Sequence, residues 1–381
     1  MKRRYYLDYN STSPFSTKLQ SFLAKGDFSF ATFANPASVH SSGQKARKLV
    51  NETISFLFKT FDLDNKAFSL IFHSGATEAS STFFESAQAG DGFFFCKSDH
   101  AATLAVAEKL KNRGVRCIPL AIDSNGDLLA QRAIEDIQNF KNKNAGAKIY
   151  LNYLALHNET GVYWPVSEAV KIKAATGAHV HVDATQMPGK VKDWDQLRPQ
   201  LDAYTFSAHK FGALNGVGFS FINKRFALTP IFKGGGQQRG VRGGTENVLG
   251  IYSIKLALEE TLQSDLDDLE NFRNELEDII RKKNETLIVG DKSKFGRSVN
   301  TVNFILKNQK ADISLIQFDL AGLDVSSGSA CRAGSIEPSG TLIEMGLSEF
   351  AKNGVRISLG PENLKDKEEI KRRLKDVLNK L

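Results

Sequence analysis

The chain has 381 residues, 41% hydrophobic and 24% charged, with a formal charge of +7 and a pI near 9.1. That length can bury a large core and leads us to expect two domains in an ordinary globular protein. A basic balance can attract nucleic acid; however, no Lys/Arg cluster exceeds three and no aromatics interleave with the basic residues, so no direct nucleic-acid partner is expected. MKRRYYLDYN lacks an apolar signal core, and no apolar run reaches the roughly 18 residues of a membrane span, so no membrane partner is expected.

Residues 5–10 read as a short strand-like lead and Asn10-Ser11-Thr12-Ser13-Pro14 as a turn. Asn35-Pro36-Ala37-Ser38 starts a helix by cap chemistry, with Leu49, Ile54 and Leu57 apolar along it. Residues 68–73 form a buried strand running into Ser74-Gly75-Ala76-Thr77-Glu78-Ala79 and a helix. A strand, a small-residue turn and a helix N-terminus can cradle a phosphate through backbone N–H groups and the helix dipole. The turn lacks GxxxxGK spacing, so it is not a Walker loop, and alone it is nonspecific. Residues 92–96 form the next strand, ending at Ser98-Asp99-His100. His100 is either structural or lies where open α/β sheets bind ligands. Helix 102–111, strand 115–120, helix 128–140 and strand 147–156 continue an alternation that argues for a mostly parallel sheet. His157-Asn158-Glu159-Thr160-Gly161 follows, then helix 166–175, then an alternating strand ending in Asp183.

Strand 201–206 breaks into small and polar residues around Lys210, with Ser207 and His209 beside it. Gly212, Gly216 and Gly218 precede a second apolar run at 219–222. A lysine there is either a solvated surface group or an amine held for Schiff-base chemistry. Asp183 is either an N-cap or ion-paired carboxylate, or the partner of a protonated pyridine nitrogen. Lysine and aspartate on adjacent strand ends are the minimum for pyridoxal phosphate: the lysine holds the aldehyde and the aspartate keeps the ring an electron sink. Beside them, the turn at Ala76 and Thr77 reads as the phosphate site.

The glycine run 234–236, near Arg239 and Arg242, is too short for an RGG tail. Helix 247–262 leaves the large domain, and 266–281 is amphipathic. Strand 299–306 and helix 313–323 belong to a smaller α+β domain, with an alternating strand at 355–360 and a charged closing helix at 368–381. Cys96, Cys117 and Cys331 form no CxxC pair, so no metal site is expected, and few thiols suit a reducing, cytoplasmic location. Cys96 follows an apolar run and Cys117 lies in one, so both are expected to be buried and inert. Cys331 lies in the small-residue loop 325–331, either as an incidental exposed thiol or as one available to react.

HVDATQ, SAHK, NPASVHSSGQKAR, HSGATEA, HNETGV, RGGTEN and SSGSAC together resemble the cysteine desulfurases, a branch of the class V aminotransferase family. The likeness runs from Tyr6 to about Gly360. It implies the α/β fold of PLP-dependent transferases of fold type I. A large domain over 15–248 would carry a mostly parallel seven-stranded sheet, and a smaller α+β domain from 1–14 and 249–381 would carry the Cys331 loop. It implies Lys210, Cys331 and His100 as catalytic residues. Cofactor contacts are implied for Ala76, Thr77, His100, Asn158, Asp183, Gln186, Ser207, His209, Lys210 and Thr245. Asn10, Asn158 and Arg356 would bind substrate.

His100 would stack on the ring and shuttle protons, Lys210 would act as general base, and Arg356 would clamp the α-carboxylate. Thr245 would reach the cofactor of the partner subunit in a homodimer. The implied reaction converts L-cysteine to L-alanine. Cys331 would take the sulfur as a persulfide for an acceptor protein, in iron–sulfur assembly or tRNA thiolation. Three departures stand out. His157 replaces an asparagine of the family. Arg332-Ala333-Gly334-Ser335 follows the cysteine where small or hydroxyl residues are usual, and Arg332 would lower the Cys331 pKa. The chain stops at Leu381, short of the tail with which housekeeping members dock their scaffold. Selenocysteine lyase and another class V transaminase remain alternatives, as does, from a different class, a sulfur-relay adaptor or RNA-binding partner.

Overall fold

The computed structural model describes residues 3–26, 32–327, 331–332 and 335–381. In chain order come β1 (Tyr5–Tyr6), α1 (Thr17–Ala24), α2 (Ser41–Thr60), β2 (Phe68–His73), α3 (Ala76–Phe84), β3 (Gly92–Cys96), α4 (Ala101–Asn112), β4 (Arg116–Leu120), α5 (Ala130–Lys143) and β5 (Ile149–Leu154). Then follow α6 (Val166–Thr176), β6 (His179–Asp183), β7 (Ala203–Ser207), β8 (Gly218–Asn223), α7 (Val248–Thr261), α8 (Leu266–Arg281), β9 (Thr286–Ile288) and β10 (Thr301–Leu306). The last are α9 (Ala311–Leu320), β11 (Leu323–Asp324), β12 (Cys331–Arg332), β13 (Ser335–Ile336), α10 (Gly340–Glu344), β14 (Gly354–Ser358) and α11 (Lys367–Leu378).

Seven strands form one sheet in the order β2-β8-β7-β6-β5-β3-β4. β4, β3, β5, β6 and β7 run parallel, and β8 runs antiparallel to both β7 and β2. The sheet is therefore mostly parallel, as expected. Strands covered on both faces read as continuous apolar runs, and β3, β5 and β7 are buried at every position. Phe61, just past α2, packs against Trp194, Phe206, Phe219 and Phe221 with ring centroids 4.9–5.9 Å apart. From α7, Ile251, Ile254, Ala257 and Leu258 join this core.

A second core gathers under the antiparallel sheet β14-β10-β9. It combines Phe272 and Leu276 of α8, Val302 and Phe304 of β10, and Leu374 of α11 with Tyr5 and Leu7 from the start of the chain. β1 pairs with β11, so the chain opens on elements it completes some 320 residues later (Tyr5↔Leu323).

Three expectations require correction. The helix expected at Asn35 starts at Ser41. Asn35 spends its side chain on a turn, its Oδ1 accepting from the Ala37 N–H at 2.9 Å, and His40 caps the helix through Nδ1 instead. Cys117 is only half-buried because β4 is the sheet edge. The segment read as a loop at Cys331 contains a hairpin in which Cys331 faces Ile336 and Arg332 faces Ser335.

Candidate active site

The parallel strands β3, β5, β6 and β7 end on one side of the sheet, where ligands bind in open α/β folds. A cavity of about 960 Å³ opens there. Its lining includes Asn10, Ala76, Thr77, His100, Asn158, Asp183, Gln186, Ser207, His209, Lys210 and Arg356, which the sequence scatters over nearly its whole length. Thr245 is exposed on its loop and does not line the cavity. The side chain of Cys331 lies outside the described residues, as do Gly328, Ser329, Ala330, Ala333 and Gly334.

Lys210 follows β7 in a single 3-10 turn. Its Nζ donates to the carbonyls of Asn10 at 2.9 Å and Ser11 at 2.6 Å. Burial, and then the charge of Arg356, push its pKa down to about 8. Gly212 lets this turn sit on the N-terminal segment. Its φ is +93°, and a Cβ there would lie 3.0 Å from the Pro14 carbonyl oxygen and the Ser16 nitrogen. His209 Nδ1 lies 3.1 Å from Thr12 Oγ1, and burial pushes its pKa down to about 4.

Asp183 ends β6, almost wholly buried, and its Oδ1 accepts the Thr185 N–H at 3.0 Å. Gly75 precedes α3 without any side-chain cap, so the helix presents open N–H groups at the cavity wall. Ser207 Oγ stands behind this turn, 3.5 Å from where a Cβ on Gly75 would sit. His100 caps α4, its Nδ1 accepting the Ala102 N–H at 3.1 Å. Gln186 Nε2 donates to the Asn10 carbonyl at 2.9 Å, while Oε1 accepts from buried Lys190.

Arg356 already has partners. Nη2 donates to Asp8 Oδ1 at 2.6 Å and Nη1 to the Asn158 carbonyl at 2.9 Å. Its Nε is buried without a partner among the described residues, as are Thr185 Oγ1 and Asp99 Oδ1. Buried polar atoms without partners call for a polar ligand. An open helix N-terminus for a phosphate, a buried carboxylate for a ring cation and a depressed-pKa lysine for an aldehyde are the groups pyridoxal phosphate requires, so the residues present fit it.

A hydrogen-bonded chain crosses the sheet beside the cavity. His73 Nε2 lies 2.9 Å from Ser220 Oγ, which lies 2.8 Å from Thr205 Oγ1. Thr205 Oγ1 lies 2.8 Å from His181 Nε2, and His181 Nδ1 lies 2.9 Å from Asn152 Oδ1. Asn152 Nδ2 donates to Asp99 Oδ2 at 2.9 Å, and the Cys96 N–H joins it at 3.1 Å. Burial pushes both histidines down to about 4, so both rings are neutral, and pushes Asp99 up to about 7. With the Asn152 amide aimed at Asp99, its oxygen must accept from His181 Nδ1–H. His181 Nε2 must then accept from Thr205, Thr205 from Ser220 and Ser220 from His73.

Sequence reasoning missed Asp8, Asp99, Thr185 and this chain. One signal was available: the HVHVD alternation puts His181 on the same face as Asp183. The partners come from other strands, and their pairing shows only in the fold.

The Aminotransferase class-V family profile matches residues 5–372. The chain is 30% identical over 376 residues to cysteine desulfurase IscS of Clostridium botulinum strain Hall, covering 96% of this chain and 92% of that protein. It is 32% identical over 372 residues to a cysteine desulfurase of Cereibacter sphaeroides, covering 93% and 90%. Among solved structures it resembles a NifS-like protein from Rickettsia africae, with TM-score 0.84, 25% identity and coverage of 99% and 100%. Another NifS-like protein superimposes with TM-score 0.85 and 25% identity over 99% and 98%.

Proposed function

The chain belongs to the aminotransferase class-V family, and we propose that it works there as a PLP-dependent cysteine desulfurase with Lys210, His100 and Cys331 as its catalytic residues. The observation that carries the reading is the convergence of Lys210, Asp183, His100, Asn158 and Arg356 on one cavity, with the Lys210 pKa lowered to about 8. Pyridoxal phosphate, when bound, supplies an electron sink that weakens the bonds at the substrate α-carbon. Ala76 and Thr77 at the open end of α3, with Ser207 and His209, would hold its phosphate side. Asp183 would hold the ring nitrogen, Asn158 and Gln186 would bind at the ring oxygen, and His100 would lie over the ring.

Arg356 and Asn10 orient L-cysteine through its carboxylate, with Asp8 yielding part of the guanidinium. The Lys210 amine, with its pKa lowered to about 8, would take the α-proton. The Cys331 thiolate attacks the substrate sulfur. An S–S bond forms as the Cβ–S bond breaks, and the electron pair passes to the carbon skeleton, which takes up protons to become alanine. Sulfur is oxidised as carbon is reduced, so no outside oxidant is needed. The persulfide then passes to the thiol of an acceptor protein. Two subunits form the working unit, Thr245 of each completing the phosphate site of the other.

Cys331→Ser tests the reading. It should keep the cofactor and its cysteine-induced absorbance change, yet release almost no alanine and form no persulfide. Normal turnover by this variant would replace the desulfurase reading with a lyase or transaminase that needs no enzyme thiol.

A further inference from the structure

The stretch from Ser326 to Ser339 carries Cys331, and both of its ends are tied to groups of the cavity. At the first end, the Ser326 N–H donates to the Arg356 carbonyl at 3.0 Å and the Arg356 N–H donates back at 2.6 Å. At the second, Ser339 Oγ donates to Glu159 Oε2 at 2.7 Å and Thr341 Oγ1 donates to Glu159 Oε1 at 3.2 Å. Glu159 lines the cavity beside Asn158.

His157 completes this second tie. Its Nδ1 accepts the Glu159 N–H at 3.1 Å, which leaves Nε2 as the donor of the neutral ring. Nε2 lies 2.8 Å from the Ser98 carbonyl, two residues before His100, and 3.3 Å from Thr341 Oγ1. The ring is 3% exposed, and burial holds its pKa below the ordinary value, so the donor pattern persists at neutral pH. An asparagine side chain is shorter than the imidazole and has no second ring nitrogen to span from Glu159 to Ser98.

The tie limits where Cys331 can go. Ile336 faces Cys331 across the hairpin, and Ser339 is three residues further on. Three residues span at most about 11 Å, and paired Cα atoms lie about 5 Å apart. The Cys331 backbone is therefore held within roughly 16 Å of Ser339.

We propose that Glu159 and His157 are positioning residues for sulfur transfer, fastening the Ser339–Thr341 root of the Cys331 hairpin to the loops that carry His100 and Asn158. The inference rests on Cys331 being the sulfur acceptor, and the test separates the two. The Ser339→Ala/Thr341→Val holoenzyme is compared with the parent and with Thr341→Ser, which keeps the hydroxyl. Cofactor content and the cysteine concentration giving half the cysteine-induced absorbance change should stay within about twofold of the parent. The single-turnover rate of persulfide formation on Cys331, read by mass spectrometry, should fall at least about tenfold, since misplacement by 1 Å can cost about 10²-fold. Thr341→Ser should keep the parental rate.

A parental persulfide rate in the double variant would overturn the inference. So would loss of the absorbance change itself, which would mean that the root shapes the whole cavity, or a Thr341→Ser defect equal to that of the double variant, which would point to the methyl group. Should the double variant not accumulate, the same division is read on Thr341→Val, which preserves volume. Alanine release at the parental rate by Cys331→Ser would instead remove the underlying function, whatever the root variants do.

Discussion

Lys210 offers the most direct quantitative check on the site. Its pKa of about 8, against 10.5 for a free lysine, makes about a quarter of the amines neutral at pH 7.5, where a free lysine has about one in a thousand. The nucleophilic form is thus enriched about 200-fold. That lowering corresponds to a penalty of about 3 kcal/mol on the charged form. The unfolded chain binds the extra proton between pH 8 and 10.5, so this penalty acts fully below pH 8 and fades as pH rises through that window. The assay is reductive labelling of the apoprotein with a neutral aldehyde, quantified at Lys210 by mass spectrometry from pH 6.5 to 10. The initial rate should rise about tenfold per pH unit up to about 8 and then level off. Arg356→Gln removes the second cause of the shift, so the inflection should move upward. A rate that climbs with unit slope through pH 9.5 in the parent would refute the burial argument.

Removal of the ring at the centre of the aromatic cluster, Phe61→Ala, should cost about 3–5 kcal/mol in denaturant unfolding, because Phe61 is fully buried against four rings. Asp99→Asn should stabilise the apoprotein more at pH 8 than at pH 5. The parent carboxyl has its folded pKa raised to about 7 and loses stability as pH rises from about 4 to 7, by up to about 4 kcal/mol, and the amide has no such loss. An equal effect at both pH values would show that Asp99 does not titrate there. Mixing Thr245→Ala with Lys210→Ala subunits should restore one intact site per mixed dimer and regain activity absent from the Lys210→Ala homodimer. No recovery on mixing would show that Thr245 does not act across subunits.

The strands were legible because a two-sided sheet requires continuous apolar runs, as in Phe93-Phe94-Phe95, and because small polar residues mark their ends. Lys210, Asp183 and the Ser74-Gly75 turn stood out for the same reason, each breaking an apolar run at its carboxyl end. Asp8 did not, since its partner Arg356 is 348 residues away and the pairing depends on β1 returning to the second core. The start of α2 misled because Asn35 and His40 exchanged roles, turn former for cap. The hairpin at Cys331 was illegible because its serines and glycines carry no strand signal.

The hydrogen-bonded chain from His73 to Asp99 constrains how this protein can change over evolutionary time. From His73 to Asn152 the donors all run one way, toward Asn152, in a fixed pattern, and the five residues are buried. If Ser220 became leucine, His73 would lose its acceptor and Thr205 its donor together, and neither could turn to solvent for a replacement. Single substitutions along the chain are thus handicapped, whereas exchanging adjacent members jointly for apolar residues of like volume is tolerable. Sequences descended from this one should carry the polar set intact or lose it in neighbouring pairs. A lineage that kept His73 opposite an apolar residue 220 would have had to find another acceptor for its ring.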